Sequence, residues 1–586
     1  MTRARNVADI IKQPFTTTLG TSNYRAGVNA GNSIAAGTNF NVIIGDEAGT
    51  TLNSGDSNVA VGVAALNAAS SGSNNVAVGT NAMRDLTTGT LNVAVGENAM
   101  FNGIVTGNSN IAMGYLPLQV LTGGIGNIAI GRAALGTLTS GNNSVAIGYE
   151  ALNVNNNSEI TSVGNFSGSV STGAEQVFVG YSAGKFVTTG ASQTFVGHNA
   201  GKGITGAKLT ASNNTAIGKS AGLLLQGAAA DNTLVGKGSG QAITTGKRNS
   251  FLGTNSGVSY TTGEDSVAIG NDAAKFATTA HSSVFIGADA GQGITGAKLT
   301  GNQNTCVGAQ AGFLLQGVAA NNNLFGFGAG KAITTAAHNV CVGVNAGAGV
   351  TTGDSNVLLG GGIAQNAALT GDNNIVIGDS AGEQMTSANN NIFIGLSTGV
   401  SSVAVTTGAS NILIGKQARV NAADGANQIT LGEQVTCVGN NNFTFGNGST
   451  DSNIQFGANS INVPSDERYK EDIATSTAGL SFIKDLRPVT FKWKKEKDVP
   501  SGHDAYVEGS DTRVMLSNGE TNHGFIAQEV KAVIDNHSEI KDGFGMWTVD
   551  ERDTTNGRQR LADGALVPIL VKAIQELEAR IATLEG

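Results

Sequence analysis

A short apolar triplet followed by glycine recurs along most of this chain. Between Gly45 and Gly432, 23 such glycines are spaced 16 to 21 residues apart, most often 17. Typical units, each ending in the glycine, are Val59-Ala60-Val61-Gly62, Val76-Ala77-Val78-Gly79, Val145-Ala146-Ile147-Gly148 and Val267-Ala268-Ile269-Gly270. Because β-branched triplets favour strands and glycine permits a tight bend, each unit is predicted to be a strand followed by a turn.

The length of the repeat predicts that the units stack. A unit this short cannot bury its own apolar side chains, so neighbouring units have to cover one another. The sequence therefore predicts a mostly β fold, in which residues 41–460 form a parallel β-roll or β-solenoid shaft with rungs of about 17 residues. Asn residues before many triplets suit turns and stacked ladders. At about 4.7–4.9 Å per rung, 23 rungs give a rod on the order of 110 Å long.

The middle residue of the triplet is also apolar. It is Ala in many rungs, and in others it is Phe178, Phe195, Phe285 or Phe393. A strand with one face in water alternates apolar and polar residues, so both faces of these strands are predicted to be covered. One face lines the solenoid interior, and the simplest candidate to cover the other is a second copy of the same chain.

The rungs resemble the head repeats of trimeric autotransporter adhesins, the YadA-like left-handed β-roll. Residues 143–148, Asn-Ser-Val-Ala-Ile-Gly, carry the match most clearly, and the resemblance extends over roughly residues 40–435. It implies a trimeric β-roll. The chain departs from those adhesins in its longer repeat and in the lack of an apolar signal-peptide segment after Arg3 and Arg5, so an autotransporter is not expected.

A change in composition near residue 460 predicts a second domain. Residues 1–464 contain 39 of the 77 Lys, Arg, Asp and Glu residues, and the final 122 residues contain the other 38. Both tryptophans, Trp493 and Trp547, lie in that final part. We therefore expect a separate small α/β domain over residues 465–586 that ends in a helix.

The end of the chain has the apolar spacing of a coiled coil. Six apolar residues follow one another at spacings of 3, 4, 3, 4 and 3 residues, and we call them the coiled-coil seam. They are Val567, Leu570, Ile574, Leu577, Ile581 and Leu584. In a coiled-coil heptad, Val or Ile at the first apolar position, a, with Leu at the second, d, favours a dimer. We nevertheless expect a homotrimer, because a short helix attached to a large assembly does not set the stoichiometry.

The composition argues against several other classes of protein. A net charge of −9 argues against a nucleic-acid-binding surface, and no apolar run of about 18 residues predicts a membrane helix. Cys306, Cys341 and Cys437 are predicted to be small buried side chains. The six histidines lack metal-ligand spacing and are expected in solvent or turns, so neither a metal nor a cofactor is expected.

One segment of the C-terminal part has residues suited to chemistry. Residues 464–473 are Pro-Ser-Asp-Glu-Arg-Tyr-Lys-Glu-Asp-Ile, and alone they match an ordinary helix start with Ser465 as N-cap. Residues 486–493, Leu-Arg-Pro-Val-Thr-Phe-Lys-Trp, and residues 524–530, Gly-Phe-Ile-Ala-Gln-Glu-Val, follow downstream. With the terminal helix, these segments resemble the endosialidase-type intramolecular chaperone domain of phage tail fibres and tailspikes, a self-cleaving peptidase family.

This resemblance implies a Ser/Lys dyad that cleaves its own chain. It makes Ser465 the nucleophile, Lys470 the base and the Pro464–Ser465 peptide the scissile bond. A serine hydroxyl needs a base, and lysine can serve only when neutral, which requires burial or a nearby cation such as Arg468. Because five residues of separation do not put both groups on one face of a helix or strand, a turn has to bring them together.

The two resemblances together predict a homotrimeric phage tail fibre, a structural virion protein made in the host cytoplasm without a signal peptide. Residues 1–40 are expected to bind a tail or baseplate protein. The longer rungs around residues 198–217 and 288–307 are expected to contact a host cell-surface receptor, with a glycan as one candidate. The C-terminal domain is expected to direct trimer folding, and self-cleavage before Ser465 is the one enzymatic activity expected.

Two alternatives remain open from the sequence. An enzymatic tailspike would degrade a host surface glycan, and release of reducing ends from the glycan would reveal it. A trimeric cell-surface adhesin would need an export route, for which the N-terminal residues offer no signal.

Overall fold

The computed structural model describes residues 22–400, 403–458, 460–503, 505–515, 520–540, 544–549 and 557–586. The chain divides into two compact units, Met1–Pro464 and Ser465–Gly586. Of the predicted virion-attachment segment, residues 1–40, the first 21 lie outside the described residues.

A sheet of 26 strands, counted over the described residues, runs through the first unit. In chain order, strands β1 to β26 are Tyr24–Ala26, Val42–Ile44, Val59–Val61, Val76–Val78, Val93–Val95, Ile111–Met113, Ile128–Ile130, Val145–Ile147, Thr161–Val163, Val177–Val179, Thr194–Val196, Thr215–Ile217, Thr233–Val235, Ser250–Leu252, Val267–Ile269, Val284–Ile286, Thr305–Val307, Asn323–Phe325, Val340–Val342, Val357–Leu359, Ile375–Ile377, Ile392–Ile394, Ile412–Ile414, Gln428–Leu431, Asn442–Gly446 and Asp451–Gln455.

The strands from β1 to β25 pair in parallel, each with the next one along the chain. The register is residue for residue, as where Val59 opposes Val76 and Ala60 opposes Ala77. The predicted mostly β fold, a parallel β-solenoid with rungs of the predicted length, is therefore confirmed, and it has about 25 turns. Its first described strand, β1, precedes the shaft boundary at residue 41 that the sequence predicted.

Within each triplet, the middle side chain lies in the solenoid interior and the two flanking side chains face outward. Ala60, Phe178 and Cys306 occupy interior positions and are fully buried. We call the two outward positions the outer strand face. The last residue of each triplet is apolar, with Leu252 51% exposed and Leu431 47% exposed, whereas the first is Thr, Ser or Asn in several rungs, as at Thr194 and Asn323. The described part of the chain therefore leaves an apolar column accessible along the shaft.

A ladder of buried asparagines runs beside the strands over most of the shaft. The Oδ1 atom of Asn58 accepts the backbone N–H of Asn75 at 3.0 Å and its side-chain N–H at 3.2 Å. The Nδ2 atom of Asn75 also donates to the turn carbonyl of Gly89 at 2.9 Å. The asparagines in this position are Asn41, Asn58, Asn75, Asn92, Asn110, Asn127, Asn214, Asn232, Asn249, Asn304, Asn322, Asn339, Asn356, Asn374, Asn391 and Asn411.

The rung glycine is required both by its backbone angle and by lack of space. Gly270 has a φ of +133°, a conformation that residues with side chains rarely adopt. A Cβ atom there would lie 2.4 Å from the carbonyl oxygen of Gly287 in the next rung. Adjacent rungs therefore approach more closely at this corner than any side chain allows, which explains why glycine marks the repeat.

The last two strands close the C-terminal edge of the parallel stack. Strand β26 turns back and pairs antiparallel with β25, so that Phe443 opposes Ile454. An open edge of parallel strands is a template for pairing with other chains, and this hairpin covers it.

The second unit contains three helices and two small antiparallel sheets among its described residues. The helices are α1, Leu480–Asp485; α2, Ala527–Asn536; and α3, Leu566–Glu585. The sheets pair β27, Val489–Phe491, with β28, Asn522–Gly524, and β29, Trp547–Val549, with β30, Gln559–Leu561. The hydrophobic core of the second unit contains Phe482, Val530, Ile534, Met546, Leu566 and Ile569. The predicted terminal helix is confirmed.

Replacing one ladder asparagine is expected to weaken the shaft. In Asn75→Ala, the backbone N–H of Asn92 and the carbonyl of Gly89 both lose their partner. An unsatisfied buried peptide group costs about 1–3 kcal/mol, so the guanidinium midpoint, followed by circular dichroism, should fall clearly.

The matched control is Asn75→Ser, because serine stands at this position in another rung as Ser144 and keeps an oxygen that accepts from the next rung. Its effect should be smaller than that of Asn75→Ala. Equal midpoints for wild type and Asn75→Ala would contradict a stabilising role for the ladder.

Candidate functional site

A single tight turn brings Ser465 and Lys470 together. Asp466 caps a 3₁₀ turn over Glu467–Tyr469 by accepting the backbone N–H of Arg468 at 2.9 Å. After this turn the chain becomes extended at Lys470, and its Nζ atom donates to Ser465 Oγ at 2.7 Å. The structure therefore contains the turn that a separation of five residues requires.

Arg468 does not act as a free cation beside Lys470. Its Nη2 atom lies 2.5 Å from Asp466 Oδ2, and its Nε atom contacts both carboxylate oxygens at 3.1 Å. These hydrogen bonds lower the pKa of Asp466, and the charge of Lys470 adds to the effect. The guanidinium of Arg468 is thus paired with the Asp466 carboxylate, and its role as a cation acting on Lys470 stays a prediction.

Solvent exposure and hydrogen-bond direction define the resting state of this pair. Ser465 and Lys470 are both exposed, as are all residues from 461 to 470. Lys470 donates to the serine oxygen, whereas a general base has to accept the serine proton. Burial favours the neutral form of lysine, so the pair needs a cover that the described part of this chain does not supply.

The downstream segments singled out in the sequence lie together in the fold. Strand β27 belongs to the first segment, residues 486–493. Its first residue, Val489, opposes Gly524 of β28, the residue at which the second segment, residues 524–530, begins. Arg487 forms a two-pronged ion pair with Glu529 on α2, in which Nε lies 2.9 Å from Oε2. Glu576 on α3 accepts the backbone N–H of Leu480 at 2.9 Å and so caps the start of α1.

Helix α3 has two apolar faces. Leu566, Ile569 and Ala573 are buried against the second unit. All six residues of the coiled-coil seam point away from that core and are exposed, from 41% for Leu570 to 87% for Leu584. The structure thus leaves the seam available for another helix.

His537 has a structural role that the sequence pattern did not indicate. Its Nδ1 atom lies 2.9 Å from Glu539 Oε1, and its Nε2 atom lies 2.9 Å from Asp485 Oδ2. The two carboxylates raise the pKa of His537, Glu539 more than Asp485. Its side chain is 12% exposed and lies at the end of α2, directly before a turn, so of the two expected settings for a histidine it has the turn. Asp485 is distant from His537 in the sequence, and no local pattern signals such a contact.

The described residues contain no group of three or more His, Cys, Asp and Glu side chains arranged to hold a metal ion. Among the same residues, no helix is long and apolar enough to cross a membrane.

The fold and the site define a repetitive β-solenoid shaft followed by a small domain with a Ser–Lys pair at its first residues. Residues 465–539 match the family model described as chaperone of endosialidase. No curated protein and no solved structure matches the chain. A long β-solenoid with a segment that matches this family model at its C-terminal side fits a tail fibre or tailspike with a C-terminal chaperone domain.

The raised pKa of His537 makes the stability of the second unit depend on pH. Its ordinary pKa is 6.5, so the contribution is fully present below about pH 6.5 and is lost as the pH rises through the raised value. We expect the urea midpoint of this unit, followed by the fluorescence of Trp493 and Trp547, to fall between pH 6 and about pH 9.

In His537→Gln this fall should become smaller, whereas His523→Gln, at an exposed position, should behave like wild type. Each protein should carry Ser465→Ala, which keeps the chain intact if the site cleaves. Identical pH profiles for wild type and His537→Gln would show that these two ion pairs do not stabilise the unit.

Proposed function

We propose that this chain is a homotrimeric phage tail fibre that attaches the virion to the host surface, with a C-terminal domain that directs assembly and then cleaves itself off. The match of residues 465–539 to the chaperone of endosialidase family, directly after a β-solenoid, is the observation that carries the proposal. The family match supports the chaperone function. The proposal adds three more specific parts, which are assembly as a trimer, attachment to the host surface and self-cleavage.

Two accessible apolar surfaces support the trimer. One is the outer strand face of the shaft, and the other is the coiled-coil seam of α3. A helix with apolar residues at a and d positions buries them against partner helices, and six exposed side chains of this kind are costly in a lone chain. Identical chains in parallel would cover both surfaces with the same surfaces of their neighbours.

The repeat itself explains why such a shaft needs a chaperone. Each rung resembles the next, so neighbouring chains displaced by one rung would bury nearly the same apolar surface. Formation of non-local parallel β structure is slow, and its intermediates are prone to misassembly. A domain that holds the chains at one end fixes their register before the rungs form.

The geometry at Ser465 supports cleavage of the preceding peptide bond. Lys470, once neutral, takes the proton of Ser465 Oγ, and the oxygen attacks the carbonyl carbon of Pro464. The C–N bond then breaks, the serine nitrogen receives a proton from Lys470, and an ester joins Pro464 to the serine oxygen. Water hydrolyses this ester, which leaves a carboxylate on Pro464 and a free Ser465 at the start of the released domain.

The exposure of Lys470 links this chemistry to assembly. A neighbouring copy in the trimer is the cover that would exclude water from Lys470 and favour its neutral form. Cleavage is then expected after trimer formation, when the chaperone has completed its task.

Cleavage is tested by denaturing mass spectrometry of freshly purified protein. Wild type should yield a fragment that begins at Ser465, and Ser465→Ala and Lys470→Ala should both remain intact because each removes one half of the dyad. Lys484→Ala, which changes another exposed lysine of the same domain, should cleave like wild type. Intact wild-type chain would refute self-cleavage and leave the domain as a permanent assembly factor.

The trimer is tested by sedimentation equilibrium in a Ser465→Ala background. The expected mass is three times the 59.0 kDa of the chain. Ile574→Glu with Ile581→Glu should abolish or strongly reduce the trimer fraction, because buried carboxylates would face one another at the seam.

The control adds the same two charges one residue further along α3, as Gln575→Glu with Ala582→Glu, and should remain trimeric. A monomeric wild type would refute the trimer, and a trimeric seam variant would show that α3 is not needed for it.

A further inference from the structure

Six side chains form a continuous column on the outside of the shaft, one in each of six consecutive rungs. This ring column consists of Tyr115, Arg132, Tyr149, Phe166, Tyr181 and His198. Five of them directly follow their rung glycine, and Phe166 lies one residue later. At about 4.8 Å per rung, the column extends over about 24 Å.

Neighbouring members of the ring column contact one another. The Cζ atom of Arg132 lies 5.5 Å from the ring centroid of Tyr149. Ring centroids are 5.0 Å apart for Tyr149 and Phe166, and 6.2 Å apart for Phe166 and Tyr181. Tyr181 and His198 stack at 5.2 Å. These contacts restrain the rings, so a ligand would order few additional rotamers on binding.

The column combines exposed aromatic surface with cations that lack carboxylate partners. Tyr115 is 42% exposed and Tyr181 is 48% exposed. Lys185 places its Nζ atom 4.1 Å from the Phe166 ring centroid. Within the described residues, neither Arg132 nor Lys185 forms an ion pair with Asp or Glu. One carboxylate does lie at the column, because Glu150 accepts a hydrogen bond from the Tyr149 hydroxyl and raises the pKa of Tyr149, so the two cations outnumber it. Exposed apolar surface of this kind marks a contact site, and its charge favours an anionic partner.

The repeat changes where the ring column lies. The asparagine ladder is replaced over four rungs by Ser144, Ile160, Gln176 and Gln193. Two consecutive rungs, which together run from Gly148 to Gly180, are each one residue shorter than most others. Serine also replaces the ladder asparagine at Ser266 and Ser283, so this segment is distinguished by its Ile and Gln substitutes together with its two shortened rungs. Local departures from a regular pattern are typical of functional surfaces.

We propose that the ring column is a receptor-binding surface for a saccharide chain that carries acidic sugars. Aromatic ring faces are electron-rich and attract the C–H groups on the face of a pyranose ring. Arg132 and Lys185 would pair with sugar carboxylates through charge-assisted hydrogen bonds, and the tyrosine hydroxyls would bond to sugar hydroxyls. The inference rests on the proposed attachment function and specifies the chemistry and place of the receptor contact.

The test uses the full chain and an immobilised panel of purified polysaccharides, some neutral and some rich in uronic or sialic acid. Wild type should bind at least one acidic polysaccharide. Tyr149→Ala with Tyr181→Ala should weaken that binding at least tenfold, and Arg132→Gln should reduce the preference for acidic over neutral chains. The matched control is Phe327→Ala with Leu396→Ala, since both residues follow a rung glycine and are 52% and 46% exposed. It should bind like wild type.

Three results with the purified protein would overturn the proposal. They are an equal loss of binding in the control variant, a tighter interaction with single-stranded oligonucleotides than with any polysaccharide, and loss of the wild-type oligomeric state in the Tyr149→Ala, Tyr181→Ala variant. The last result would assign the column to contact between copies.

Adsorption of the fibre to bacterial cells is measured in parallel to separate this proposal from the attachment function. Equal adsorption of wild type and the tyrosine variant would refute the ring column and leave attachment intact. Lack of adsorption by wild type would count against attachment itself.

Discussion

Hydrogen bonding along the axis, from rung to rung, is the interaction on which the shaft depends. The asparagine side chain is suited to it because one planar amide carries both an acceptor and donors. In the ladder, Oδ1 of Asn58 receives two N–H groups from the next rung, while Nδ2 of Asn75 satisfies a turn carbonyl. Where the ladder is present, the corner of the rung is therefore buried with these peptide groups paired, and the shaft needs few aromatic residues in its interior.

This arrangement determines what else the molecule needs. Backbone approach at the rung glycine excludes side chains, so successive rungs can stack closely along the whole shaft. The same uniformity means that the rungs contain little information about which rung of one chain should face which rung of another. In the proposed trimer, a terminal domain with its own core and an apolar seam on α3 would supply a defined end from which register could be set.

Much of the fold could be predicted from the sequence because its repeat is explicit. The triplet and its glycine indicate the strand, the bend and the stacking, and the apolar middle residue indicates the interior. The first strand was missed because Tyr24-Arg25-Ala26 lacks the apolar triplet, although it pairs in register with β2. This strand forms because the neighbouring rung offers its backbone for pairing, and the strand's own three residues do not indicate that.

The candidate site was predictable only in part. Residue types and the family resemblance identified Ser465 and Lys470, but the 2.7 Å contact depends on a turn whose cap is the adjacent Asp466. The same aspartate forms an ion pair with Arg468. Residue types alone do not show whether the Arg468 guanidinium pairs with Asp466 or lies beside Lys470. His537 depends on the carboxylate of Asp485, far away in the sequence, which only the fold brings near.

The interruption of the ladder between Ser144 and Gln193 also has a mechanical consequence. A load applied along the axis is carried by the bonds that join one rung to the next, and Ile160 contributes no side-chain bond to that series. Elsewhere, each ladder amide adds several such bonds in parallel with the strands. The stiffness of the shaft is therefore uneven along its length, and a pull on a fibre anchored at one end would extend this segment first.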